Sequence, residues 1–152
     1  MKTRRRQHGF SLVELLIVVA VIGVVSAIAV PNLIASRRVA NESAAVANLR
    51  LITGAEHTFY LTAGNGRYGS AAELRDAKLI DASLSGAGAN ATGGQKNGFL
   101  YTITPGAAST YTATAAAQSG RADRSFFVDE TGVIRYLAGG VPPDATTGTP
   151  IN

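Results

Sequence analysis

Residues Phe10 to Val30 read FSLVELLIVVAVIGVVSAIAV, a run of 21 residues with one charge, Glu14, and Pro31 follows directly. At about 1.5 Å per residue, a helix of this length covers roughly 30 Å, enough to cross the hydrocarbon core of a bilayer. The run is apolar on every side, which argues against a helix that buries one face in a soluble domain. Residues 1–9, MKTRRRQHG, place Lys2, Arg4, Arg5 and Arg6 just ahead of it. A cationic flank of this kind holds the N-terminal end of a span in the cytoplasm.

The charge balance follows from the same segment. The formal net charge of +4 comes from 14 basic and 10 acidic side chains, and four of the basic ones precede Gly9. Without residues 1–9 the count is 10 against 10, so the basic excess is a membrane flank and not a nucleic-acid footprint, which needs clustered surface charge. The 152 residues contain no cysteine, which excludes disulfides and thiolate metal sites. His8 and His57 are the two imidazoles, and they lie far apart.

A membrane-directed start has several forms. An ordinary signal peptide would use Ala27-Ile28-Ala29 as its cleavage site. An uncleaved anchor would keep residues 1–9. A buried soluble helix is the third form. Glu14 discriminates among them, because a carboxylate near mid-membrane costs roughly 2.5–3.5 kcal/mol and neither a plain signal nor an anchor has a use for it. A cation met in the membrane would offset that cost. The nearest candidate is the free amine of Phe10 on a neighbouring copy, provided the chain is cut between Gly9 and Phe10. Phe10 and Glu14 stand one helical turn apart, so a small axial offset between parallel helices brings one copy's carboxylate to the next copy's amine.

The order Gly9-Phe10-Ser11-Leu12-Val13-Glu14-Leu15-Leu16, after a short basic leader and before an apolar run, resembles the cleavage motif of type IV prepilins and type II secretion pseudopilins. The resemblance implies a membrane aspartyl peptidase that cuts after Gly9 and then methylates Phe10. It implies an assembly role for Glu14, and it matches Gly23 and Pro31 to positions where such helices carry helix breakers. It covers about the first 60 residues. The rest matches only in general layout.

Beyond Pro31 the pattern turns amphipathic. Pro31 removes a backbone donor and predicts a kink, with residues 23–31 as the pliable stretch that unwinds in an assembled filament. Ala45, Leu49, Ile52, Ala55 and Phe59 form an apolar stripe, with Arg37, Arg38, Asn41, Glu42, Asn48 and Arg50 at polar positions. Gly64-Asn65-Gly66 ends the helix. Residues 70–84 predict one short helix opened by a Ser70–Glu73 capping box. Residues 85–98 read as a Gly-rich loop without the strand–loop–helix context of a phosphate cradle. Four strands are predicted, at 99–104, 111–117, 125–129 and 133–136, with a tight connection at Asp129-Glu130-Thr131-Gly132 and an irregular tail over 137–152. The expected fold is α+β: a long N-terminal helix, half membrane-spanning and half amphipathic, on a small antiparallel sheet. The expected organisation is a leader at 1–9, a transmembrane and polymerisation helix at 10–31, an amphipathic helix at 32–62 and a globular head at 63–152.

No catalytic constellation is present in the sequence, and no metal or cofactor is expected. Asp123, Asp129, Glu130 and Asp144 are the acids that a calcium ion would recruit, but their spacing fits no known loop. Asn41-Glu42-Ser43 and Asn90-Ala91-Thr92 fit the N-x-[ST] pattern, which is frequent by chance. The leading reading is a pilin: not an enzyme, partnered by copies of itself in a helical homopolymer, by the prepilin peptidase and methyltransferase, and by inner-membrane assembly machinery. It is a single-pass inner-membrane precursor before it enters an extracellular filament. The alternative is a pseudopilin in a periplasmic pseudopilus. A monomeric binding domain on an uncleaved anchor, and an enzyme, are the rivals from other classes.

Overall fold

The computed structural model describes residues 10–86, 88, 92–107 and 109–151. The leader, with Gly9 and its basic residues, and Asn90 and Ala91 of the second N-x-[ST] match lie outside the described residues. The chain divides between Ser36 and Arg37 into two compact units.

One helix, α1 (Leu12–Leu61), contributes to both units and continues without interruption through Gly23 and Pro31. It ends as the sequence predicts. The Gly64 amide donates to the Phe59 carbonyl at 2.7 Å, and Asn65 and Gly66 take positive φ of 50° and 83°. Such left-handed residues cannot extend a right-handed helix.

In the second unit, α1 presents Ala45, Leu49, Ile52, Ala55 and Phe59 to a six-stranded antiparallel sheet, all of them buried. The strands are β1 (Gln95–Lys96), β2 (Phe99–Pro105), β3 (Tyr111–Ala117), β4 (Arg124–Asp129), β5 (Arg135–Ala138) and β6 (Thr149–Pro150), paired in sequence order. Alternation along β2 sends Phe99, Tyr101 and Ile103 inward, and along β3 it sends Tyr111, Ala113 and Ala115. Register sets small residues between large ones. Ala113 pairs with Ile103 on one side and Val128 on the other, and Ala115 with Tyr101 and Phe126. The alanines leave room in the middle strand, and their larger neighbours fill it.

Polar residues also tie α1 to the sheet, which corrects one expectation. Arg38, Asn41, Glu42 and Asn48 do not form an outer polar face. Arg38 bonds Asp123 at 2.9 Å, Asn41 donates to the Arg121 carbonyl at 2.9 Å, and Asn48 donates to the Tyr101 hydroxyl at 2.9 Å. Glu42 is buried and accepts the Asp123 and Arg124 amides at 2.9 and 3.0 Å and the Arg124 guanidinium at 2.7 Å. The Tyr111 hydroxyl donates to Thr53 at 3.0 Å. Arg37 and Arg50 remain exposed, as expected.

Between helix and sheet, the single predicted helix over 70–84 is two: α2 (Ala71–Asp76) and α3 (Ala82–Ser85). Lys78 at φ 59° breaks it, and Asp81 caps α3 by accepting the Leu84 amide at 3.0 Å. The Ser70–Glu73 capping box is present in both directions.

The sheet also has two more strands than the four expected. The dipeptide Asn97-Gly98, with φ of 52° and 77°, turns β1 into β2. Upstream, the Tyr101 amide donates to the Gly94 carbonyl and the Ile103 amide to the Thr92 carbonyl, so residues 92–96 run alongside β2 instead of looping free. A Cβ on Gly93 would strike the Tyr101 carbonyl, so only glycine lets the chain pass so close. The tail is less irregular than predicted, because β6 pairs with β5. The Asp129–Gly132 turn forms with a Gly132 amide bond to the Asp129 carbonyl, but pairing resumes at Arg135 and not at Val133.

Candidate functional site

The first unit holds the residues singled out for processing and assembly. Ser11 is the helix N-cap. The Val13 amide donates to its hydroxyl at 3.3 Å, and its own amide donates to the Glu14 carboxylate at 3.0 Å. Glu14 therefore occupies the third helical position and reaches back to the cap, one half of a capping box. At a helix N-terminus a carboxylate also meets the positive end of the macrodipole. This local role is encoded in Ser11-Leu12-Val13-Glu14, which has the same S-x-x-E form as Ser70 to Glu73, and it stands beside the intermolecular role expected of Glu14.

Phe10 stands 81% exposed beside this cap. Leu12, Val13, Leu15, Leu16 and Ile17 are all more than half exposed, and the pattern continues through Ile34 at 46%. Each such side chain forgoes about 1.5–3 kcal/mol of burial when left in water. A stretch with this exposure on all sides is covered by lipid or by other helices, not by its own unit. Gly23 has nothing within 4 Å of an added Cβ, so packing inside the chain does not demand glycine there. Pro31 sits within the helix, with the Ser36 hydroxyl bonded to the Asn32 carbonyl just after it at 2.9 Å.

The second unit brings no catalytic or metal set together among the described residues. Asp123 is paired to Arg38, Asp129 accepts the Thr131 amide at 3.0 Å within its own turn, and Asp144 accepts the Thr146 and Thr147 amides. No group of three His, Asp or Glu is placed to share an ion among the described residues. Asn41 of the first N-x-[ST] match uses its side-chain amide on Arg121.

A helix apolar on all sides, with an acid in its first turn, in a chain whose other unit is an α+β head, defines a class of proteins with a long apolar surface that their own fold does not cover. Residues 4–30 match the prokaryotic N-terminal methylation motif. The chain is 44% identical to the type IV major pilin protein PilA of Myxococcus xanthus over 55 residues, 36% of this chain and 25% of that one. It is 35% identical to the type IV wide pilus major component PilA4 of Thermus thermophilus over 88 residues, 58% of this chain and 63% of the relative. It is 31% identical to type II secretion system core protein G of Aeromonas hydrophila over 74 residues, 49% of this chain and 50% of that one. The matched segments thus span less than two-thirds of each of these relatives. No solved structure matches the chain. The motif and the relatives together support the type IV pilin and type II secretion pseudopilin family for this chain.

Proposed function

We propose that the chain is a structural subunit that polymerises through its N-terminal helix into a type IV pilus-like filament. The observation that carries this is the apolar stretch from Phe10 to Ile34, exposed along its whole length, with Glu14 in its first turn. In this reading the peptidase cuts between Gly9 and Phe10 and methylates Phe10. Subunits wait as single-pass proteins of the inner membrane and are then moved by assembly machinery into an extracellular fibre. In the fibre, other copies replace lipid in keeping the apolar stretch from water, and the pairing of Glu14 with a neighbour's Phe10 amine sets register. Gly23 and Pro31 are the positions where the helix yields during packing.

Intact mass and N-terminal sequencing of the protein from cells test the processing. A start at Phe10 carrying one added methyl supports it, whereas retention of residues 1–9 or a start at Val30 defeats it.

The similarity to a type II secretion core protein favours a second reading, a pseudopilin that builds a short periplasmic assembly. Shearing cells separates the two, since only the pilin leaves the cell in long fibres.

A further inference from the structure

Glu56 lies on the sheet-facing side of α1 and is fully buried. Its Oε2 accepts the Gly69 amide at 2.8 Å, and no donor among the described residues reaches its Oε1. A buried carboxylate with one hydrogen bond lacks most of the donors that its ionised form needs. Its surroundings do not supply them. On α1, His57 and Tyr60 turn their rings to Tyr68, at 5.9 and 5.0 Å between centroids. From the α1–α2 connection and α2, Arg67 and Glu73 are paired with each other at 2.6 Å, which leaves the Arg67 charge committed. From β3, Tyr111 spends its hydroxyl on Thr53. From the β4–β5 turn come Asp129 and Glu130, acids whose charges act on Tyr111 and Tyr68. Burial pushes the Glu56 carboxyl up to about 7, the Gly69 bond acts against that rise, and the like charge of Glu73 adds to it.

Besides Glu56, the segment that leads to Gly69 is held by the Gly64 and Gly66 amides on the Phe59 and Tyr60 carbonyls and by the buried Tyr68 ring against Tyr60 and Tyr111. Thr62, Ala63, Asn65, Gly66 and Arg67 are exposed. Gly69 sits against the Phe59 ring so closely that an added Cβ would lie 3.1 Å from it. Ser70 and Glu73 then cap α2 independently of Glu56. We propose that Glu56 is a proton-operated clasp: protonated, its carboxyl stays in the core and seats Gly69 on α1, and ionised, it draws water inward and loosens Gly69 and the exposed residues just before it. The clasp lies beneath the connection between α1 and α2, so the shape of the surface there becomes a function of pH. The stabilisation is complete below the ordinary carboxylate value of 4.5 and is lost as pH rises through about 7, because the folded state keeps the proton longer than the unfolded chain.

The test uses the full chain in detergent micelles. Carbon-13 resonances of the glutamate carboxyls are followed against pH, and trypsin cleavage after Arg67 is compared between wild type and Glu56→Gln at each pH, which cancels the protease's own pH dependence. The Glu56 carbon is expected to titrate near neutrality, and the wild-type to variant cleavage ratio to rise severalfold from about pH 5 to about pH 8. Titration of Glu56 in the ordinary carboxylate range, or a flat ratio, overturns the proposal. Should Glu56→Gln fail to fold, the wild-type carbon titration decides alone.

Discussion

The Glu42 carboxylate and the Arg124 guanidinium meet at 2.7 Å with the acid 7% exposed and the base 42% exposed, so the pair joins the inside of the head to its surface. Burial alone would push Glu42 up. The Arg124 side chain and the Asp123 and Arg124 amides outweigh that and hold it below its usual value. Glu42→Ala leaves two part-buried amides without their acceptor and is expected to cost about 1–3 kcal/mol. Denaturant unfolding of the full chain in detergent measures this. A change below about 0.5 kcal/mol would show that the network is dispensable.

Gly98 and Gly120 both take positive φ, 77° and 74°. They differ in surroundings: a Cβ at Gly98 would lie 2.6 Å from the Arg121 Cβ, and one at Gly120 meets nothing within 4 Å. Gly120→Ala is therefore expected to cost only the backbone penalty, about 1 kcal/mol, and Gly98→Ala clearly more. Equal losses in the two unfolding curves would refute the steric part of the argument.

The Arg67 side chain, followed by the Ser70 amide, holds the Glu73 carboxyl down to about 2. A depressed carboxylate stabilises the fold above the ordinary value of 4.5, and that contribution fades as pH falls toward about 2. Because the Glu73 side chain is 39% exposed, solvent screening keeps the effect small. Thermal midpoints recorded down an acid series should decline less steeply for Glu73→Gln than for wild type over that interval.

Under the filament reading, Glu14→Gln removes a charge pairing between copies while keeping size and polarity. Loss of about 2 kcal/mol per contact lowers association by more than roughly tenfold. Sheared-fibre yield is expected to collapse while the membrane pool persists. Normal fibres from this variant would end the case for Glu14 in assembly.

How far the sequence could be read varies with the kind of signal. The apolar stretch and the stripe Leu49, Ile52, Ala55 and Phe59 were legible because periodicity reports burial directly. The strands at 99–105 and 111–117 were legible because aromatic and β-branched residues alternate there. Asn97-Gly98 was available but overlooked: it is a strong hairpin signal, hidden inside a stretch that composition labels as loop. Pairing of Thr149–Pro150 carries no local mark, since a two-residue strand is made by its partner. Glu42 and Glu56 were opaque for another reason. A glutamate on an amphipathic helix reads as solvent-facing until the chain that supplies Arg124, or Gly69, arrives from 82 or 13 residues away. At the assembly segment the chemistry of Glu14 was legible. Its bond to the Ser11 amide was also within reach, through a pattern recognised elsewhere in the same chain.

The contacts from Arg38, Asn41, Glu42, Asn48 and Thr53 to the sheet are spread along one side of α1, not gathered at one end. A pull directed along that helix loads them side by side, in shear, and the helix cannot slip by a residue without breaking the set. Mechanical tension borne by the helix would therefore be shared at once by several strands of the head, a load path that resists sliding far better than peeling.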